Sequence, residues 1–205
     1  MNNYQDLYPA TPYGRRPLQP GEARYADLVN TPHRRRHLID GYQQRAYATA
    51  LRATPTSTKT ATTISGIAVP YNEWTPVGLD IKEQFQPSAF TELVRDQSPV
   101  PLMIQHDHTR LPVGVSQQWQ STPAGLVGTW RLDTEDQAAV DALRKVREGF
   151  VTGLSIGFAG DLEDQDVTMD SDGVLWITQC RNIRLLEVSI VALPAYPGAQ
   201  ITQIG

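Results

Sequence analysis

From Thr60 onward the chain is built of short runs in which apolar positions recur with a period of two, each closed by glycine, proline or polar turn residues. TTISGIAVPYN, VGLDIKEQF, VPLMIQH, VGVSQQWQ, GLVGTWRLD, GLSIGFAG, VLWITQC and RLLEVSIVAL each predict a strand. Eight strands in about 135 residues predict a barrel or a sandwich. Two segments change to helical spacing. The first follows Pro87, with Ser88 as N-cap and Phe90, Leu93 and Val94 on one face. The second pairs Thr134 and Gln137 in a capping box, sets Glu135 and Asp136 in the first turn, spaces Val140, Leu143 and Val146 for burial, and ends at Gly149. The fold expected is mainly β with helices (α+β).

Upstream the pattern is lost. The first fifty residues carry six of the eight tyrosines and the run Pro9, Pro12, Pro17 and Pro20, with little aliphatic periodicity. So little apolar area cannot offset chain entropy. Residues 1–58 are expected to be a largely disordered arm, with a short helix near Gly41 to Leu51, and residues 59–205 to be the folded domain.

Charge follows the same division: residues 1–60 hold nine Lys/Arg against four Asp/Glu, and residues 61–205 nine against eighteen. Arg34, Arg35 and Arg36 read either as a docking patch for an acidic partner or as part of a solvated basic tail. A net charge of -4 and an apolar fraction of 40% argue against a specific nucleic-acid binder. No apolar run approaches the ~20 residues of a membrane span, and MNNYQDLYPATPYGRRP lacks the apolar core of a secretory signal. With Cys180 as the lone cysteine, an intracellular, disulfide-free protein is expected. After PAYPGA the chain runs only to Gly205, and no fused scaffold domain is expected.

Gly153-Leu154-Ser155-Ile156-Gly157 spells the G-x-S-x-G of many serine hydrolases. A nucleophile elbow needs a strand before the serine, a helix after it and a later histidine. Here a helix precedes, the acid-rich DLEDQDVTMDSDG follows as a loop, and His33, His37, His106 and His108 all lie upstream, so that match is accidental. On a strand, Leu154, Ile156 and Phe158 share one face and Gly153, Ser155 and Gly157 the other. Ser155 is then either open to a substrate backbone or a small residue under a tightly packed neighbour.

A serine nucleophile needs a base. His33 and His37 fall in the arm, whereas His106 ends the strand VPLMIQH and is better fixed than His108. His106 and His108 could instead form an H-x-H metal pair, but no third ligand of matching spacing is evident, so no metal and no cofactor is expected. In RLLEVSIVAL, Leu186, Val188, Ile190 and Ala192 make one apolar face, and Glu187 lies with Leu185, Ser189 and Val191 on the other. A carboxylate there must be paired, either with His106 or with Arg181 or Arg184.

The order GIAVPYN, FQPSAF, VPLMIQHD with LPVG, GL with RLD, LRKVREGFVTGLSIGF and RLLEVSIVALPAYPGA resembles the caudoviral prohead proteases over residues 61 to about 200. The resemblance implies a serine endopeptidase that matures tailed-phage capsids, with a fold similar to the herpesvirus assemblins, a β-barrel surrounded by helices. It sets the family histidine on His106 in QHD and the family serine on Ser155 in GLSIGF. Assemblins use a second histidine as third member, and the acid of LLEVS suggests Glu187 in that place. It also implies, as substrates, the N-terminal segment of the major capsid protein, a scaffold protein and the protease itself. The setting implied is the procapsid interior, assembled in the host cytoplasm, with a homodimer as one expected form. Two other readings fit the residues: a non-catalytic scaffold or capsid-lining protein that keeps the fold, and a metal-dependent hydrolase on His106 and His108.

Overall fold

Residues 62–205 are described by the computed structural model, and the expected arm, its helix near Gly41 to Leu51 and the boundary at residue 59 lie outside the described residues. In chain order the strands are β1 (Thr63–Pro70), β2 (Thr75–Gly78), β3 (Ile81–Phe85), β4 (Pro101–Ile104), β5 (Gly114–Thr122) and β6 (Gly125–Leu132). They continue as β7 (Gly153–Ala159), β8 (Gln165–Met169), β9 (Leu175–Gln179), β10 (Arg184–Val191) and β11 (Gln200–Ile204). Two α-helices lie among the described residues, α1 (Thr91–Asp96) and α2 (Gln137–Arg147).

Seven strands close into a barrel in the order β1-β11-β7-β10-β4-β5-β6, and β2-β3-β9-β8 form a second sheet. Closure satisfies the backbone groups that an open edge would expose. Inward positions recur at every second residue, as in Ile64, Gly66 and Ala68 of β1 and Leu126, Gly128, Trp130 and Leu132 of β6. Trp119 and Trp130 meet edge to face at 5.3 Å, and a Cβ on Gly128 would strike both rings. Phe85 of β3 joins the second sheet to the barrel, with its ring 5.1 Å from Phe158 and 5.5 Å from Tyr196.

Several expectations change in local detail. VGLDIKEQF is not one strand but the end of β2, an exposed turn at Leu79 and Asp80, and β3. The acid-rich loop contains β8, and β11 continues a segment for which no strand was expected. Ser88 does not cap a helix: its hydroxyl donates to the Cys180 carbonyl at 2.6 Å, and a 3-10 turn over Pro87–Phe90 leads into α1. In α2 the cap is Asp136, which accepts from the Ala138 N–H at 3.0 Å, so no Thr134–Gln137 box forms. Ala139, Ala142, Leu143 and Val146 make its buried face, and Val140 is exposed.

Gly149 ends α2 as expected. Its φ of 76° is left-handed, its N–H bonds to the Val146 carbonyl, and the Phe150 N–H bonds back to Lys145, the two bonds of a Schellman cap.

Candidate active site

β10 lies between β7, antiparallel to it, and β4, parallel to it. The register sets Ser189 opposite Ser155 on one side and Met103 on the other, and Glu187 opposite Gly157. Paired residues of adjacent strands point the same way, so Ser155, Ser189, Glu187 and Gly157 share one side of the sheet.

β4 stops at Ile104, and His106 is not the end of a strand. Gln105 and His106 take left-handed φ values of 54° and 56°, which turn the chain back over β10. Each such residue without a glycine costs about 1–2 kcal/mol. The turn is held by the Gln105 N–H on the Ile190 carbonyl at 3.0 Å, the His106 N–H on Ser189 Oγ at 3.0 Å and the Asp107 N–H on the Ile104 carbonyl at 3.1 Å. Two residues on, the hydroxyl and N–H of Thr109 hold the Asp107 carboxyl below the usual carboxylate range, with a smaller pull from Arg110.

The turn brings His106 Nδ1 to 2.6 Å from Glu187 Oε1. The other carboxylate oxygen, Oε2, accepts from the Ser189 hydroxyl at 2.8 Å. His106, Ser155, Glu187 and Ser189 are all buried, Ser155 with 1% of its surface exposed. In so dry a place a carboxylate is tolerated only when paired and hydrogen-bonded. Of the three partners weighed for Glu187, His106 is the one it has. Arg181 pairs with Asp164 at 2.8 Å, while Arg184 is exposed and lies opposite Ala159, four residues along β7 from Ser155 and roughly 13 Å away.

Gly157 explains how Glu187 reaches the histidine. A Cβ there would come within 2.6 Å of Glu187 Oε1, so the carboxylate lies over a gap that only glycine leaves. At Gly153 the space is taken by Pro194 and the Val191 carbonyl. Of the two readings of this face, close packing is the one seen at both glycines, which are lined by the chain's own groups. An irregularity in register between Leu185 and Glu187 also reverses two assignments: Leu185 pairs with Phe158 and joins the core, and Leu186 is only half-buried. Ala192 lies beyond the strand and is exposed.

His108 is exposed, and the turn separates it from the buried His106, so the two do not share a strand face. Among the described residues no group of three or more His, Cys, Asp or Glu is arranged to hold a metal ion, and no helix is long and apolar enough to cross a membrane. Sequence reasoning gave Ser189 no role and did not foresee that Gly157 makes room for the Glu187 carboxylate. The period of two through Glu187 and Ser155 carries the signal for both.

No curated protein matches the chain. Among solved structures it is similar to the crystal structure of KSHV protease in complex with a hexapeptide phosphonate inhibitor, with 14% identity and a TM-score of 0.40 over 68% of this chain and 63% of that one. The chain thus spans less than two thirds of that protease's length. A profile described as caudovirus prohead serine protease matches residues 49–204, a span that takes in all eleven strands and the turn bearing His106. On the strength of that match, the chain belongs to the caudovirus prohead serine protease family.

Proposed function

We propose that this protein is a serine endopeptidase that cleaves capsid or scaffold proteins, and itself, during prohead maturation, with Ser155 as nucleophile, His106 as base and Glu187 as the group that orients the base. The observation that carries the proposal is the buried 2.6 Å bond between His106 Nδ1 and Glu187 Oε1, beside the strand pair that holds Ser155. Family membership supports peptide hydrolysis and a setting in the procapsid, assembled in the host cytoplasm.

In the mechanism, His106 Nε2 takes the Ser155 proton as Oγ attacks the peptide carbonyl and later gives it to the leaving amine. Glu187 keeps the other ring proton on Nδ1 and stabilises the imidazolium. General-base help of this kind is worth about 10²- to 10⁴-fold. Reaction requires the carbonyl carbon within about 3–3.5 Å of Ser155 Oγ, so the atoms that now enclose Ser155 must give way when a peptide binds.

A fluorophosphonate tests the nucleophile without knowledge of the cleavage sequence. Ser155 Oγ forms an ester to phosphorus, fluoride leaves, and His106 receives the hydroxyl proton. Peptide mapping of the full chain should place the adduct on Ser155 in the wild type and find none in His106→Ala. An adduct on another residue would remove Ser155 from the role, and equal labelling of Ser155 in both proteins would remove His106 as its base.

A further inference from the structure

We infer that Ser189 is a positioning residue, which orients the Glu187 carboxylate and so selects the tautomer of His106 that can act as base. The inference rests on the proposed triad and deepens it. This hydroxyl makes two hydrogen bonds, one as acceptor and one as donor. A backbone N–H can only donate, so Ser189 Oγ accepts from His106 at 3.0 Å. Its own proton is directed at Glu187 Oε2, 2.8 Å away.

The hydroxyl proton ties down Oε2, which turns the other oxygen, Oε1, toward His106. Glu187 Oε1, as part of a carboxylate, can only accept, and it faces His106 Nδ1 at 2.6 Å. Nδ1 therefore carries the ring hydrogen. The neutral ring is left with its lone pair on Nε2, the buried nitrogen.

The same hydroxyl acts on the base a second way. His106 sits in a left-handed turn, and the bond from its N–H to Ser189 Oγ is one of the ties that hold that turn over β10. Backbone position and ring tautomer are thus set by one side chain. Its place follows from register: Ser189 lies two residues from Glu187, opposite Ser155 on β7 and opposite Met103, three residues before His106, on β4. Ser189 has no exposed surface, so bulk water does not replace either bond. Alanine would delete both bonds at once and leave the strand and its packing in place.

Nitrogen-proton spectroscopy of the full chain with labelled histidine rings tests the inference. The wild type should show one neutral tautomer for His106, with the proton on Nδ1 and a low-field resonance for it. Ser189→Ala should give a mixture of tautomers and lose that resonance, and Ser189→Thr, which restores the hydroxyl, should recover both. Ser189→Cys keeps the side-chain volume with a weak donor and should resemble alanine, so it serves if Ser189→Ala does not fold. Fluorophosphonate labelling of Ser155 should fall at least about tenfold in the alanine and cysteine variants, part of what a general base supplies.

A Cys or Ala variant that keeps the wild-type tautomer overturns the inference, whether or not labelling falls. The spectra need no turnover. If Ser155 is labelled in a His106-dependent way while the Ser189 variants match the wild type, only the role of Ser189 is lost. If the wild type is never labelled, the proposed function fails while the tautomer still decides for or against Ser189.

Discussion

Gly157 shows how much one atom decides at the level of the residue. Its missing Cβ is the space into which the Glu187 carboxylate folds on its way to His106. Gly157→Ala should push that carboxylate off Nδ1 and lower proteolysis by on the order of 10²-fold, since a base in the wrong orientation forfeits most of its help. Melting temperature and cleavage rate measured on the same preparation check this: loss of rate with the fold retained is expected, and a wild-type rate would show that the carboxylate tolerates the methyl. Of the proposed triad, alternation along the strands was enough to set Ser155 and Glu187 on one face, whereas His106 was expected at the end of a strand that in fact stops at Ile104. The conformation of His106 was not legible. Nothing in QHD announces two successive left-handed residues, which exist because Ser189 and Ile190 of a distant strand accept their N–H groups.

At the level of the element, what patterning foretold was existence, and what it missed was detail set by hydrogen bonds. Helix α2 was expected over nearly its observed span, with Gly149 closing it, yet its cap is Asp136 rather than Thr134. Both residues are good caps on intrinsic preference, and the backbone chose the one whose carboxylate reaches the Ala138 N–H. Asp136→Ala should therefore cost about 1 kcal/mol in denaturant unfolding, and Thr134→Ala close to nothing. The reverse order would restore the expected capping box. The irregularity in β10 is a second case. A perfect period of two assigns Leu186 to the core, whereas one extra residue sends Leu185 there and leaves Glu187 and Ser189 on the side of Ser155. Such insertions carry no signature in a run as uniformly apolar as RLLEVSIVAL.

For the whole molecule, barrel and second sheet are joined through a polar contact as well as through Phe85. Glu83 of β3 is wholly buried, accepts from Gln179 Nε2 at 3.0 Å and accepts a second, short bond from the Tyr196 hydroxyl. Tyr196 belongs to the segment between β10 and β11 whose Pro194 packs on Gly153, two residues before Ser155. Removal of one donor from a buried carboxylate costs about 1–3 kcal/mol, so Tyr196→Phe should lower the melting temperature by several degrees. An unchanged melting temperature would mean that the contact contributes nothing to joining the two sheets. A barrel or sandwich was foreseeable from eight short alternating runs. The resemblance to the prohead proteases foretold the β-barrel that is observed, and what patterning missed is β11, a short closing strand of mixed polarity whose signal is weak.

Intact-mass analysis of the full chain co-expressed with the major capsid protein, as wild type and as Ser155→Ala, bears on the whole reading at once. Shortened capsid protein with the wild type and full-length capsid protein with Ser155→Ala is the expected result, and the mass differences would give the cleavage sites. The same shortened masses with both proteins would assign the cleavage to another residue or another enzyme, and Ser155 would not be the nucleophile.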